Sequence, residues 1–422
     1  MYRVVYINTT GHMSGAAVSM SEVIKTLNGL IDPVLLTPRG SATAFLRGAI
    51  KDIVEVPWLA QFDHTRHGRY RGARWLIAMR EAVLLPITAF SVWKFSKKVG
   101  HVDVIHLNEI TGIIPAILLK RFMNDVPLVV HVRANMGEQG RGLRSKVLWY
   151  LIRRYAAQVI CIDETVRSSL PQGIQSKVIH NSLNISRMKN GSRTIAEPFQ
   201  VGGRDGCVNV GLVGSIIRVK GVFEFVEAAI SICRSRKDVR FYIVGAGLRS
   251  LRGIRATVFA RLKLAEDAEA LISRRIVESG MSNRILMTGH LTDLTTVFEA
   301  LDILCFPSHY DAPGRPIFEA ALFGKPSIVA IDKPLPDTLI DGVTGIAIPA
   351  RDSGALAAAV IKLADSPSLR RALGEAARLL ASRVCDPDRN AADVAEVYRL
   401  AVVQSRSARG TEGDRDVRRI LR

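Results

Sequence analysis

Two carboxylates with seven residues between them, Asp311 and Glu319, stand in the stretch 305–330, CFPSHYDAPGRPIFEAALFGKPSIVA. An apolar run at 303–306 reads as a strand, and Pro307-Ser308 opens an irregular loop. A helix then starts near Pro316, carries Glu319 in its first turn and stops at Gly324, before another strand at 327–330. Proline in the first turn and glycine just past the end punctuate a helix in this way. Backbone N–H groups at Ala312, Gly314 and Arg315 would face an anion at that helix start. Carboxylates on either side of it would accept hydrogen bonds from hydroxyls, so a sugar, a diphosphate and a ribose in series satisfy the pattern. The same residues also suit a solvated loop and a helix with an acid in its favoured first turn.

Other loops carry weaker signals. At 8–17, NTTGHMSGAA, Gly11 and Gly15 permit a tight turn, and the helix start at 15–18 could receive a phosphate. The G-x-G-x-x-G spacing is missing, and a plain turn fits equally. The run 128–132 ends in HVRANMG, which sets His131 at a strand end with Arg133 two residues on, on the same side. A histidine there suits polar contact or acid–base work, although a lone histidine is more often a satisfied structural group. His106, ending VDVIHLN, has the same placement without a partner in sequence. In VNVGLVGSIIRVKGVFEFVEAA, Gly211 and Gly214 let the loop bend, and Lys220 sits at the start of the next helix. An ammonium there suits a diphosphate; the plainer reading is a surface lysine. The loops Gly245-Ala246-Gly247 and Gly289-His290 would let a flat ring lie against backbone.

The elements that must position these residues alternate. Short β-rich runs at 3–7, 33–36, 104–107, 128–131, 159–162 and 177–179 are separated by helical periods at 18–30, 113–122 and 145–155. Such alternation predicts an α/β chain with a parallel, doubly wound sheet. The pattern restarts at 207–213 and continues to 348, so two sheets of this class are expected. The expected domains are 1–185, a polar linker at 186–206, 207–385, a helix at 386–405 that crosses back to the first domain, and a disordered basic tail at 406–422. At 422 residues the chain can bury two or three sizeable cores. Ligands of such sheets bind outside the carboxyl ends of the strands, so the two sheets are expected to face each other across a cleft. Five scattered cysteines with no C-x-x-C spacing, and no signal-peptide apolar region at the start, read as a cytoplasmic protein with reduced thiols.

In order along the second half, VGSIIRVKG, FYIVGAG, ILMTGHL, LDILCFPS, the D-x7-E segment with GKPSIVA, and DGVTGIAIP resemble the retaining family 4 glycosyltransferases of GT-B architecture. MSGAA, DVIHLN, VVHVRA and VIHNS extend the resemblance into the first half. The resemblance implies sugar transfer from a nucleoside diphosphate sugar to an acceptor hydroxyl with retained anomeric configuration and no metal or other cofactor. By position, Glu319 matches the carboxylate that binds the ribose and Asp311 the one that contacts the transferred sugar. Ala312, Pro313, Gly314 and Arg315 match the loop at sugar and phosphates. Lys220 matches the diphosphate-binding lysine and His290 the place where backbone holds the base. Gly15 and Ala16 match the turn at the diphosphate, and His131 the histidine near the reacting sugar. Gly245 and Ser215 complete the implied donor site. There are departures. Asp311 is one methylene shorter than the usual Glu, and Ser215 stands where Arg is common, with Arg218 or Arg315 as possible replacements. Lys333-Pro334 stands where Gly-Gly is common, and Asp337 where Glu is.

The charge balance, 58 Lys+Arg against 39 Asp+Glu for a net +19, asks for an anionic partner or surface. Residues 64–98 hold eight Lys/Arg and one acid among Trp75, Leu76, Met79, Leu84, Leu85, Phe90 and Trp93. Arg80, Glu81 and Pro86 interrupt that stretch too much for a bilayer span. It reads as an interfacial segment on an anionic leaflet, or as amphipathic helices packed on the sheet. A nucleic-acid partner is not expected, because no reader motif is present. The reading that follows is a peripheral membrane enzyme on the inner face, acting on a lipid-linked or cell-surface glycan precursor. A GT-B sugar-nucleotide epimerase and a non-catalytic nucleotide-sugar-binding partner are the rival readings.

Overall fold

The computed structural model describes residues 1–62, 75–135, 142–184, 206–247, 267–291, 293–310 and 313–420, with side chains given to Ser407. Asp311, Ala312, the linker up to residue 205 and the basic stretch 64–74 lie outside the described residues. The chain divides into two compact units, Met1–Leu183 with Pro387–Arg422, and Asn184–Asp386.

The first unit contains β1 (Tyr2–Ile7), α1 (Gly15–Thr26), β2 (Ile31–Pro38), α2 (Ser41–Leu46), β3 (Asp52–Val56), α3 (Trp75–Val83), α4 (Leu85–Lys98) and β4 (Val104–Leu107). It continues with α5 (Ile113–Phe122), β5 (Leu128–Val132), α6 (Leu143–Tyr155), β6 (Ala156–Cys161), α7 (Glu164–Ser168) and β7 (Lys177–Val178). Its seven strands are parallel in the order β3-β2-β1-β4-β5-β6-β7. Strand β3, an edge strand reading DIVEV with mixed exposure, is absent from the sequence expectation because its apolar run is too short and too polar to stand out.

The second unit holds β8 (Val208–Val213), α8 (Val222–Ser235), β9 (Val239–Val244), α9 (Ala268–Glu278), β10 (Ile285–Gly289), α10 (Thr295–Ala300) and β11 (Ile303–Phe306). After these come α11 (Arg315–Leu322), β12 (Ser327–Ala330), β13 (Gly345–Ile348), α12 (Ser353–Asp365) and α13 (Pro367–Val384). Its six strands run parallel in the order β10-β9-β8-β11-β12-β13. Each sheet is therefore doubly wound, and its order reverses beside one central strand, β1 in the first and β8 in the second.

Alternation within the strands assigns side chains to two cores. Val5 and Ile7 of β1 pack with Ile105, Val130 and the helices α4 to α6, while Val4 and Tyr6 pack with Val104, Val129 and the last helix, α14 (Pro387–Ile420). Ala391, Val394, Val397, Tyr398 and Ala401 form the buried stripe of α14, at helical spacing. The composition of 406–422 predicts a disordered tail, but the backbone of α14 stays helical to Ile420. A helix already nucleated on the sheet extends at little cost through a stretch without proline.

Val397 is 1% exposed. Removing two methyl groups there forfeits about 1.6 kcal/mol of transfer energy plus a cavity contribution. Val397→Ala is therefore expected to lower unfolding free energy by about 2 kcal/mol, read from urea denaturation, whereas Leu400→Ala on the exposed side changes it little.

Candidate functional site

In the second unit the polar residues gather where the strand order reverses, between β8 and β11. The chain leaves β8 through Gly214 and Ser215, passes a short 3-10 turn at Arg218–Lys220, and enters α8 after Gly221. Gly221 has φ 72°, and a Cβ there would fall on the Pro307 carbonyl oxygen. Only glycine lets the two loops approach this closely. The loops are also knitted by backbone bonds: His309 N donates to Val219 O at 2.8 Å, Ile216 N to Ala246 O at 3.1 Å, and Gly245 N to Gly289 O at 2.9 Å. Ser215, Gly245 and the exposed His290 therefore lie on consecutive, mutually bonded strand-end loops.

Lys220 places its ammonium 5.0 Å from the centre of the Phe306 ring, the last residue of β11. Burial pulls its pKa below the ordinary lysine value. Among the described residues no carboxylate pairs with it. Phe306 also meets Gly314 at the start of α11, where any side chain would collide with the ring. The sequence pattern puts Glu319 in the first turn of its helix, but α11 begins at Arg315, so Glu319 is its fifth residue and belongs to the second turn. It is buried, and its Oε1 accepts from Arg315 Nε at 2.5 Å. Arg315 is thus engaged with Glu319, while Arg218 lies over the Phe223 ring at 3.9 Å.

Sequence reasoning passes over one neighbour of this site. His309 Nε2 lies 2.9 Å from Glu224 Oε1, joining the β11 loop to the first turn of α8. A histidine in FPSHYD is visible in the sequence; its partner, 85 residues earlier, is not.

In the first unit the corresponding gap lies between β1 and β4. Gly15 and Ala16 open α1, with Ser14 Oγ accepting from Ala17 N at 3.2 Å as its cap. Asn108, just past β4, donates through Nδ2 to Ala16 O at 3.3 Å. Arg133 Nε donates to Asn108 Oδ1 at 2.9 Å, and its Nη2 lies 3.2 Å from His131 Nδ1. The sequence candidates Ala16 and His131 are therefore connected through two residues, Asn108 and Arg133. His106, without a sequence neighbour to pair with, has two partners in space: Tyr398 Oη 2.7 Å from its Nδ1, and His131 Nδ1 3.4 Å from its Nε2.

Burial, and then the nearby Arg133 charge, push the His106 pKa down from 6.5 to about 3. The same causes, with His106 added, hold His131 well below 6.5. Both imidazoles stay neutral in the folded protein while the unfolded chain takes up protons below about pH 6.5, so acid favours unfolding. The loss is about 1.4 kcal/mol per pH unit for each such group. Unfolding free energy measured between pH 6.5 and 4.5 is expected to fall with that slope, and His106→Gln to make the slope shallower.

The family model described as "Glycosyltransferase Family 4" matches residues 13–187, and "Glycosyl transferases group 1" matches residues 198–380. The chain is similar to a glycogen synthase of Mycobacterium tuberculosis, 26% identical over 317 residues that cover 71% of this chain and 69% of that protein. It is also similar to the capsular polysaccharide biosynthesis glycosyltransferase CapM of Staphylococcus aureus, 22% identical over 61% of this chain and 66% of that one. Among solved structures, Anabaena Alr3699/HepE in complex with UDP and glucose shares the GT-B fold, with TM-score 0.74 at 19% identity over 94% of this chain and 99% of that chain. With family matches in both halves and this architecture, the chain is a nucleotide-sugar-dependent glycosyltransferase of the GT-B, family 4 type.

Proposed function

We propose that the protein transfers a sugar, with retention of anomeric configuration, from a nucleoside diphosphate donor to a hydroxyl of a lipid-linked or cell-surface glycan precursor. Lys220 is the observation that carries the donor half. Its half-buried ammonium lies over an aromatic ring, at the strand-order reversal, with no carboxylate to neutralise it among the described residues. A diphosphate supplies the missing charge, and the same ammonium stabilises that diphosphate as it leaves. The role asks no metal of the site. In the retaining reading the acceptor hydroxyl gives its proton to the departing phosphate, so no protein base is required, and His131 orients a sugar hydroxyl.

The acceptor half rests on α3 and α4. Trp75, Leu76, Met79 and Val83 on α3, with Phe90 and Trp93 on α4, are exposed. Lys94, Lys97 and Lys98 are exposed beside them. Glu81, the one acid of these helices, is buried and accepts from Trp58 Nε1 at 3.0 Å and Gln61 N at 3.1 Å. Turning that acid inward leaves an apolar and basic outer face, which suits an anionic leaflet. Among the described residues no single helix is long and apolar enough to cross a membrane, and α3 and α4 are bent 44° from each other.

Two measurements test the two halves. UDP release from UDP-glucose and related donors is followed with EDTA present and with a lipid extract as acceptor, and the product anomer is read by NMR. Lys220→Ala is expected to lower kcat roughly hundredfold, and an inverted product would remove the retaining assignment. Separately, flotation on vesicles with acidic lipid is expected for the unaltered protein and lost in Met79→Glu/Phe90→Glu. Equal recovery on neutral and acidic vesicles would remove the membrane claim.

A further inference from the structure

The buried polar side chains on one face of the first sheet form a chain with a determinable direction. Tyr6 and His106 are register partners on β1 and β4, and His131 lies two residues beyond Val129, the partner of His106 on β5. Strand period two puts all three on the face that α14 covers, and Tyr398 of α14 meets them there. Their rings pack: Tyr6 and His106 stack at 5.0 Å, His106 and His131 lie 5.5 Å apart, and Tyr398 meets His106 edge-on at 5.8 Å.

Direction is set at the Arg133 end. A guanidinium can only donate, so Arg133 Nη2, 3.2 Å away, makes His131 Nδ1 an acceptor. A neutral His131 then carries its single proton on Nε2. His106 Nε2 faces the same Nδ1 at 3.4 Å, and two lone pairs facing each other would repel, so His106 also carries its proton on Nε2. Its Nδ1 must then accept, and the donor at 2.7 Å is the Tyr398 hydroxyl. That leaves the Tyr398 oxygen to accept from the Tyr6 hydroxyl at 2.8 Å. Every link is assigned, and the chain ends at His131 Nε2–H, which is buried and has no hydrogen-bond partner among the described residues.

We propose that Arg133 is a positioning residue that locks His131 in the Nε2–H tautomer, with His106 and Tyr398 completing the chain behind it, so that His131 serves as a hydrogen-bond donor to a substrate oxygen and not as a base. The tautomer claim stands on this geometry alone; the substrate oxygen rests on the glycosyltransferase reading above. With Nδ1 blocked by two donors, His131 has no lone pair with which to take a proton from an acceptor hydroxyl. A carbohydrate hydroxyl oxygen is the chemical class that Nε2–H would meet.

Long-range proton–nitrogen correlation on full-length protein labelled only at histidine reads the tautomers directly. His106→Gln and His131→Gln identify the two rings by loss of their signals. At pH 7.5 both rings are expected to show a lone-pair Nδ1 and a protonated Nε2. In Tyr398→Phe, His106 loses its Nδ1 donor while His131 is expected to keep its Nε2 proton; in Arg133→Met, His131 loses the donor that fixes it and is expected to shift toward mixed tautomers. Turnover in that variant should fall on the order of tenfold in kcat, with donor KM little changed. A wild-type His131 protonated at Nδ1, or at both nitrogens, overturns the proposal. So does an unchanged His131 tautomer in a folded Arg133→Met. If that variant does not fold, the wild-type spectrum decides. A protein with the expected tautomers but no turnover of any sugar nucleotide would count against the transferase reading and leave the tautomer claim standing.

Discussion

Parallel strands can be joined only by crossovers, and a sheet whose order reverses must send successive crossovers to opposite faces. The carboxyl ends between those crossovers stay uncovered by either set of helices. In the first unit this happens between β1 and β4, and in the second between β8 and β11. The residues with chemistry collect at these two places. Asn108, Arg133, His131 and the start of α1 surround the first; Lys220, Phe306, Gly314 and the His309–Glu224 pair surround the second. Glycines without room for a Cβ, at Gly221 and Gly314, let loops from neighbouring strands close to this degree. The topology supplies the gap, and the glycines supply the approach.

The two gaps treat charge differently. In the second unit Arg315 is matched by Glu319 and His309 lies on Glu224, while Lys220 has an aromatic face. A cation over a ring recovers about 0.5–2 kcal/mol, less than the several kcal/mol that taking an ammonium out of water costs. The depressed pKa of Lys220 has that same origin. In the first unit the charge is the Arg133 guanidinium, and the rings beside it stay neutral: burial lowers both histidines and raises both tyrosines.

Legibility from the sequence followed the range of the signal. Buried parallel strands are continuous apolar runs, so VNVGLV, ILCF and SIVA were readable, as was the helix ended by Gly324. Lys220, read as a lysine set against its preference at a helix start, stands at the strand-order reversal. Local pattern failed where tertiary context decides. The edge strand DIVEV has no strong run, and the helix register of Glu319 depended on whether Arg315 or Pro316 came first. The tail beyond residue 405 looked unstructured because composition carries no record of the packed helix that it extends. His106 looked solitary because its partner Tyr398 is 292 residues away. No spacing rule reaches that far; only the strand period hints at it, by putting Tyr6, His106 and His131 on one face.

That shared face explains why the last helix ends on the first sheet with a tyrosine at this level. Three consecutive strands, β1, β4 and β5, present polar rings to the face α14 must cover. An apolar residue at position 398 would pack there but leave His106 Nδ1 and the Tyr6 hydroxyl buried without a partner, at about 1–3 kcal/mol each. A charged residue would need a counter-ion that the surrounding Val394, Val397 and Ala401 cannot provide. A phenol fills the volume and passes one hydrogen bond inward while accepting another. The contact that holds the helix to the sheet is therefore the same contact that satisfies His106 and Tyr6 beneath it, so packing and polar satisfaction cannot be separated at this position.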